Sequence, residues 1–82
     1  MYRVSFSEKA WGQFKKLENL TQKRIFKVLE RIKLRPQAHV KKLVGDPAYS
    51  LRVGNYRVIL DINQRNLFIL VLEVGHRRQI YK

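Results

Sequence analysis

The chain has 82 residues, the size of one domain, which is expected to span all of residues 1–82. Eighteen Lys and Arg stand against six Asp and Glu, a formal net charge of +12, and there is no cysteine. Disulfides, thiolate nucleophiles and cysteine-built zinc sites are thereby excluded, and a 45% hydrophobic content excludes wholesale disorder.

Tyr2, Val4 and Phe6 alternate with Arg3 and Ser5, the period of a half-buried strand. Ser7 offers a side-chain oxygen to cap a helix, and Ala10, Trp11, Phe14 and Leu17 follow at helical spacing, with Trp11 and Phe14 expected in the core. After a short break at Glu18, Asn19 and Leu20, Thr21 is placed to cap a second helix. Its apolar stripe is Ile25, Val28, Leu29 and Ile32, and Pro36 ends it near Arg35. So short a connection predicts an antiparallel helix hairpin. Residues 37–47 read as a turn-rich loop. Tyr49, Leu51 and Val53 then alternate with Ser50 and Arg52, Gly54-Asn55 is a two-residue hairpin signal, and Tyr56, Val58, Leu60 and Ile62 resume the alternation. A turn at residues 63–66 leads to an almost continuous apolar run, residues 67–74, expected as a central strand covered on both sides. The predicted fold is α+β: an N-terminal strand, an antiparallel two-helix hairpin, then a three-strand antiparallel meander, with the helices packed on one sheet face.

Burial in so small a domain is limited, so a partner covering its surface would raise its stability. The charge points to nucleic acid as that kind of partner, because each phosphate neutralised releases a condensed counterion. A membrane surface fits less well, since the basic residues follow the folded pattern and form no flanking cluster. The first residues lack a hydrophobic signal core, and the apolar run at 67–72 falls far short of the roughly 20 residues needed to span a bilayer. A soluble, cytoplasmic protein is expected.

If Gly54-Asn55 is the hairpin loop, Val53 pairs with Tyr56, Arg52 with Arg57, and Leu51 with Val58. Like charges directly opposed on a sheet cost roughly 0.2–1 kcal/mol. A phosphate between the two guanidinium forks turns that cost into a clamp; the alternatives are that both arginines splay into solvent or that Asp61 or Glu73 neutralises them. The tail tips the balance. His76, Arg77, Arg78, Tyr81 and Lys82 come after the last strand, which the meander returns to the Gly54-Asn55 end. Arginines with one aromatic can hold a phosphate and stack a base.

RNA brings its own nucleophile, the 2′-hydroxyl, so cleavage needs geometry, charge stabilisation and proton transfer, with no metal and no small-molecule cofactor. Arginines supply the charge. Tyr81 and His76 are the side chains of the cluster with proton-transfer capacity, His76 being the less certain because it can also merely stack or hydrogen-bond. His39 and His76 lack carboxylate or cysteine partners at ligand spacing, so no metal site is expected. Nucleotide-loop, dinucleotide and nucleophile-elbow motifs are absent, and no serine has an assembled triad. Lys23, Arg24, Lys27, Arg31 and Arg35 form a basic outer face on the second helix. It is either a solvated face or a dock for ribosomal RNA phosphates.

Lys42-Leu43-Val44-Gly45, the run Tyr49 to Leu60 (YSLRVGNYRVIL) and the run Val74 to Tyr81 (VGHRRQIY) resemble the RelE branch of the RelE/ParE toxin superfamily. The resemblance extends over the chain in element order and is most specific in the second half. It implies the toxin of a type II toxin–antitoxin system: an mRNA interferase that enters the ribosomal A site and cuts mRNA by metal-independent 2′-hydroxyl attack, held in check by a RelB-like antitoxin. By motif match it places Arg52 at a basic active-site position, Arg57 at the phosphate-binding arginine, Arg77 at the tail arginine and Tyr81 at the C-terminal tyrosine. Arg78, Lys82, Lys42, Lys23, Arg24, Lys27 and Arg31 are the expected RNA and ribosome contacts. One departure stands out: Ser50 occupies the place of a second active-site lysine, and His76, Arg78 and Lys42 are the candidates to replace it. Two alternatives remain, a ParE-like DNA gyrase inhibitor without nuclease activity and a non-catalytic RNA- or ribosome-binding module.

Overall fold

Alternation at the N-terminus produces β1 (Arg3–Phe6), and Ser7 caps α1 (Glu8–Lys15), its Oγ accepting from the Ala10 N–H at 3.1 Å. The computed structural model describes residues 1–77. α2 (Asn19–Arg31) begins before Thr21, with Glu18 at its N-cap position and no side-chain cap bond. Gln22 makes the tight connection workable. Its Nε2 donates to the carbonyls of Phe14 and Leu17 at 3.0 Å and of Lys15 at 3.2 Å, satisfying acceptors that the end of α1 leaves open. Ile32 is the C-cap of α2, and a single 3₁₀ turn (Pro36–Ala38) uses Pro36 at its first position.

The remaining strands are β2 (Lys41–Lys42), β3 (Tyr49–Val53), β4 (Tyr56–Asn63) and β5 (Phe68–His76). Their order in the sheet is β1-β5-β4-β3-β2, with β1 parallel to β5 and every other pair antiparallel. The expected meander is thus the middle of a five-stranded mixed sheet. β2 is a short edge strand within the stretch read as loop. At the β3–β4 turn Gly54 has φ +58°, the left-handed conformation that glycine adopts without steric cost. The β4–β5 turn lacks a glycine, and Leu67 takes φ +55° there, a strained conformation for a branched side chain.

Both helices lie on one side of the sheet. Ala10, Phe14, Ile25, Leu29 and Ile32 pack against Leu51 and Val53 of β3, Val58 and Leu60 of β4, and Ile69, Val71 and Val74 of β5. Trp11 departs from the core expectation: it is 48% exposed, stacked on Phe14 at 5.8 Å and meeting Phe6 edge-on at 5.7 Å. β5 departs as well. Its helix-side residues are buried, whereas Phe68, Leu70 and Leu72 are only half-buried.

An irregularity in β5 sets which side of the sheet its last residues face. Ile59 pairs with Glu73 but Leu60 pairs with Val71, so Leu72 is an extra residue and the strand bulges there. A bulge reverses the alternation beyond it. Val71, Val74 and His76 therefore share the helix side, while Gly75 and Arg77 share the far side. α1 holds the bulge from above. Ser7 Oγ donates to the Leu72 carbonyl at 3.3 Å, Gln13 Oε1 accepts from the Val74 N–H at 2.7 Å, and Lys9 pairs with Glu73 at 3.4 Å. The Gln13 and Ser7 bonds serve polar backbone groups at the point where the ladder shifts register.

Candidate active site

Arg52 and Arg57 are register partners across the β3–β4 hairpin, both on the far side of the sheet. Arg57 in turn faces Gly75 of β5. The Arg77 N–H donates to the Asn55 carbonyl at 3.0 Å, which ties the end of β5 to the hairpin turn. The three arginines, with His39, Lys41 and Ser50, line one cavity of about 330 Å³. No acidic residue is among its described lining residues. Glu73 pairs with Lys9 instead.

The electrostatic cost is visible in Arg57. The residue is 9% exposed, and burial, followed by the charges of Arg77 and Arg52, lowers its pKa from the ordinary guanidinium value. Arginine titrates so far above neutrality that the group still carries its charge. Arg77 Nε is buried with no hydrogen-bond partner among the described residues. A cavity that concentrates like charges and carries a buried donor is suited to a tetrahedral anion such as a phosphodiester.

Other residues singled out by sequence are distributed differently. His76 lies on the helix side, paired with Tyr56 and meeting its ring edge-on at 5.6 Å; it lines a separate groove with Gln13, Lys16 and Leu17. Lys42 pairs with Tyr49, its Nζ 5.8 Å from the centre of that ring, also on the helix side. Lys41, the neighbour not singled out, pairs with Ser50 and reaches the cavity. His39, two residues earlier, also lines it. Strand alternation could have found Lys41, had residues 41–42 been read as extended; His39 ends the 3₁₀ turn and has no such signal. Lys23, Arg24, Lys27 and Arg31 are all exposed on α2. Arg24 extends toward the hairpin: its guanidinium lies 3.5 Å from where a Cβ on Gly54 would stand. Tyr81, Arg78 and Lys82 lie outside the described residues. Among the described residues no group of three or more His, Asp or Glu side chains could hold a metal ion, and no helix is long and apolar enough to cross a membrane.

A helix pair thus packs on one side of a five-stranded mixed sheet, with an arginine-lined cavity on the other. The family model described as the ParE toxin of the type II toxin–antitoxin system parDE matches residues 4–81, and the chain belongs to that family. Among solved structures, the RelBE2 toxin–antitoxin complex of Mycobacterium tuberculosis is similar with TM-score 0.85 at 24% identity, over 93% of this chain and 98% of that one. The intact RelBE complex of E. coli matches with TM-score 0.79 at 27% identity, over 93% of this chain and 96% of that one. Isolated E. coli RelE matches with TM-score 0.81 at 25% identity, over 99% and 92%. No curated protein sequence matches the chain.

Proposed function

We propose that this toxin is a ribosome-dependent endoribonuclease that cuts mRNA in the A site. The observation that carries the reading is the convergence of Arg52 of β3, Arg57 of β4 and Arg77, just past the end of β5, on one cavity without a described acidic lining residue. Arg57, deepest of the three by burial, holds the scissile phosphate; Arg52 and Arg77 flank it and take up the charge that develops as the 2′-oxygen attacks. The expected product is a 2′,3′-cyclic phosphate beside a free 5′-hydroxyl. Tyr81 is proposed to stack on a base or to move a proton. Arg78, Lys82, Lys23, Arg24, Lys27 and Arg31 hold ribosomal or messenger phosphates and set affinity rather than rate. A RelB-like antitoxin is the proposed partner, by analogy with the RelBE complexes to which the chain is similar. The compartment is the cytoplasm, where ribosomes and message are found.

A second reading comes from the matched family description, which names ParE: inhibition of DNA gyrase without nuclease chemistry. One experiment separates the two. Purified toxin is added to ribosome-bound message, with cuts mapped by primer extension, and in parallel to a gyrase supercoiling reaction. Discrete cuts that vanish in Arg77→Ala and Tyr81→Phe, with supercoiling intact, support the ribonuclease. Intact message with supercoiling blocked at stoichiometric toxin supports the alternative.

A further inference from the structure

The two histidines of the chain fall on opposite sides of the sheet. His76 looks toward α1 and lines the helix-side groove, whereas His39 lines the arginine cavity. His39 ends the 3₁₀ turn as its C-cap, with φ −116° and ψ −2°, and the next residue, Val40, packs against the core. Lys41 pairs with Ser50, and His39, two residues earlier, lines the same cavity as Arg52. The charged groups around it are Lys41 of β2, Arg52 of β3, Arg57 of β4 and Arg77, which follows β5.

Resting on the ribonuclease reading, we propose that His39 is a catalytic residue of this site and accepts the 2′-hydroxyl proton. Among the described lining residues it is the only side chain of a type that both accepts and releases a proton near neutral pH. A guanidinium is no base at accessible pH, and the Ser50 hydroxyl is too weak an acid and base to serve. The neutral imidazole takes the proton as the bond from the 2′-oxygen to phosphorus forms. The bond from phosphorus to the 5′-oxygen breaks, its electron pair leaves with that oxygen, and the oxygen takes a proton from water. The imidazolium then returns its proton to solvent. Lys41, standing beside Ser50, adds a cation at the place where the resemblance led to a lysine on β3. The exposure of His39 at the cavity mouth keeps it clear of the core, so its replacement leaves folding intact.

The test is single-turnover cleavage of ribosome-bound message between pH 5.5 and 9 by wild type, His39→Gln, His39→Gly and His76→Gln, with affinity measured on a message carrying a 2′-deoxy scissile position. His39→Gln is expected to cut about 10²–10⁴-fold more slowly at unchanged affinity and to lose the pH-dependent limb that reports the base. Added imidazole is expected to restore cutting in His39→Gly. Wild-type rate and pH profile in His39→Gln, a rate loss matched by an equal loss of affinity, or a loss confined to His76→Gln overturns the proposal while leaving the nuclease reading in place. Absence of any cut by wild type overturns both.

Discussion

Arg57 and Val58 are adjacent on β4, yet the sheet gives them opposite tasks. Val58 packs beneath the helices with Leu60, Val71 and Val74, in a layer that shares its burial with Ile25, Leu29 and Ile32. Arg57 is nearly as buried, but on the side where Arg52, Arg77, Lys41 and His39 gather. The helix side is an apolar core that stabilises the fold. The far side concentrates like charge and works against it. The apolar core and the cationic cavity thus occupy separate faces of the same strands, and the bulge at Leu72 decides which face the end of β5 serves. Without it, Arg77 would alternate onto the helix side and His76 onto the far one.

Several substitutions would break or sharpen that contrast. The largest effect belongs to the helix side. Leu60→Ala removes a fully buried side chain and is expected to cost about 2–5 kcal/mol, a large part of a small domain's total stability; a melting temperature unchanged by it would contradict the assigned core. Next comes the link between faces. Gln13→Ala strips the Val74 N–H of its partner and should destabilise by about 1–3 kcal/mol. Cleavage measured well below the melting temperature should fall as well, because Arg77 loses its placement, whereas Gln13→Glu retains an acceptor oxygen and should recover most of both losses.

On the far side the sign reverses. Arg57→Met keeps much of the side-chain volume and removes a charge that burial, Arg77 and Arg52 all disfavour. The melting temperature is expected to rise, while cleavage drops about 10²–10³-fold. Millimolar phosphate should stabilise wild type and have little effect on this variant, since only wild type retains the full anion site. A destabilised Arg57→Met would mean that the guanidinium supports the fold instead of straining it. The smallest change concerns the β4–β5 turn. Leu67→Gly relieves a left-handed leucine and should add at most about 1 kcal/mol, visible as a small upward shift in thermal melts with cleavage unaltered.

Much of this architecture was legible in the residues. The strand and helix periods, the Ser7 cap and the Gly54-Asn55 loop led to the right elements, and counting outward from that loop placed Arg52 opposite Arg57, as observed. The bulge was not legible. It inserts one residue into an apolar run in which Leu70, Val71 and Leu72 are chemically alike, so nothing marks where the alternation reverses. His76 and Arg77 consequently looked like members of one cluster, though they serve opposite faces. β2 escaped for a different reason: a two-residue strand is too short to show a period, which hid Lys41 and led to Lys42 instead. The parallel pairing of β1 with β5 joins the start of the chain to its far end, and local pattern carries no information on such a partner.

The most direct test is a double-mutant cycle on single-turnover cleavage with Arg57→Ala, Arg77→Ala and the pair. Two guanidinium groups gripping the same phosphodiester must be coupled, so the double variant should be distinctly faster than the product of the single losses implies. Losses that multiply without any coupling would mean that the two arginines act at separate places, and the shared far-side site would have to be abandoned.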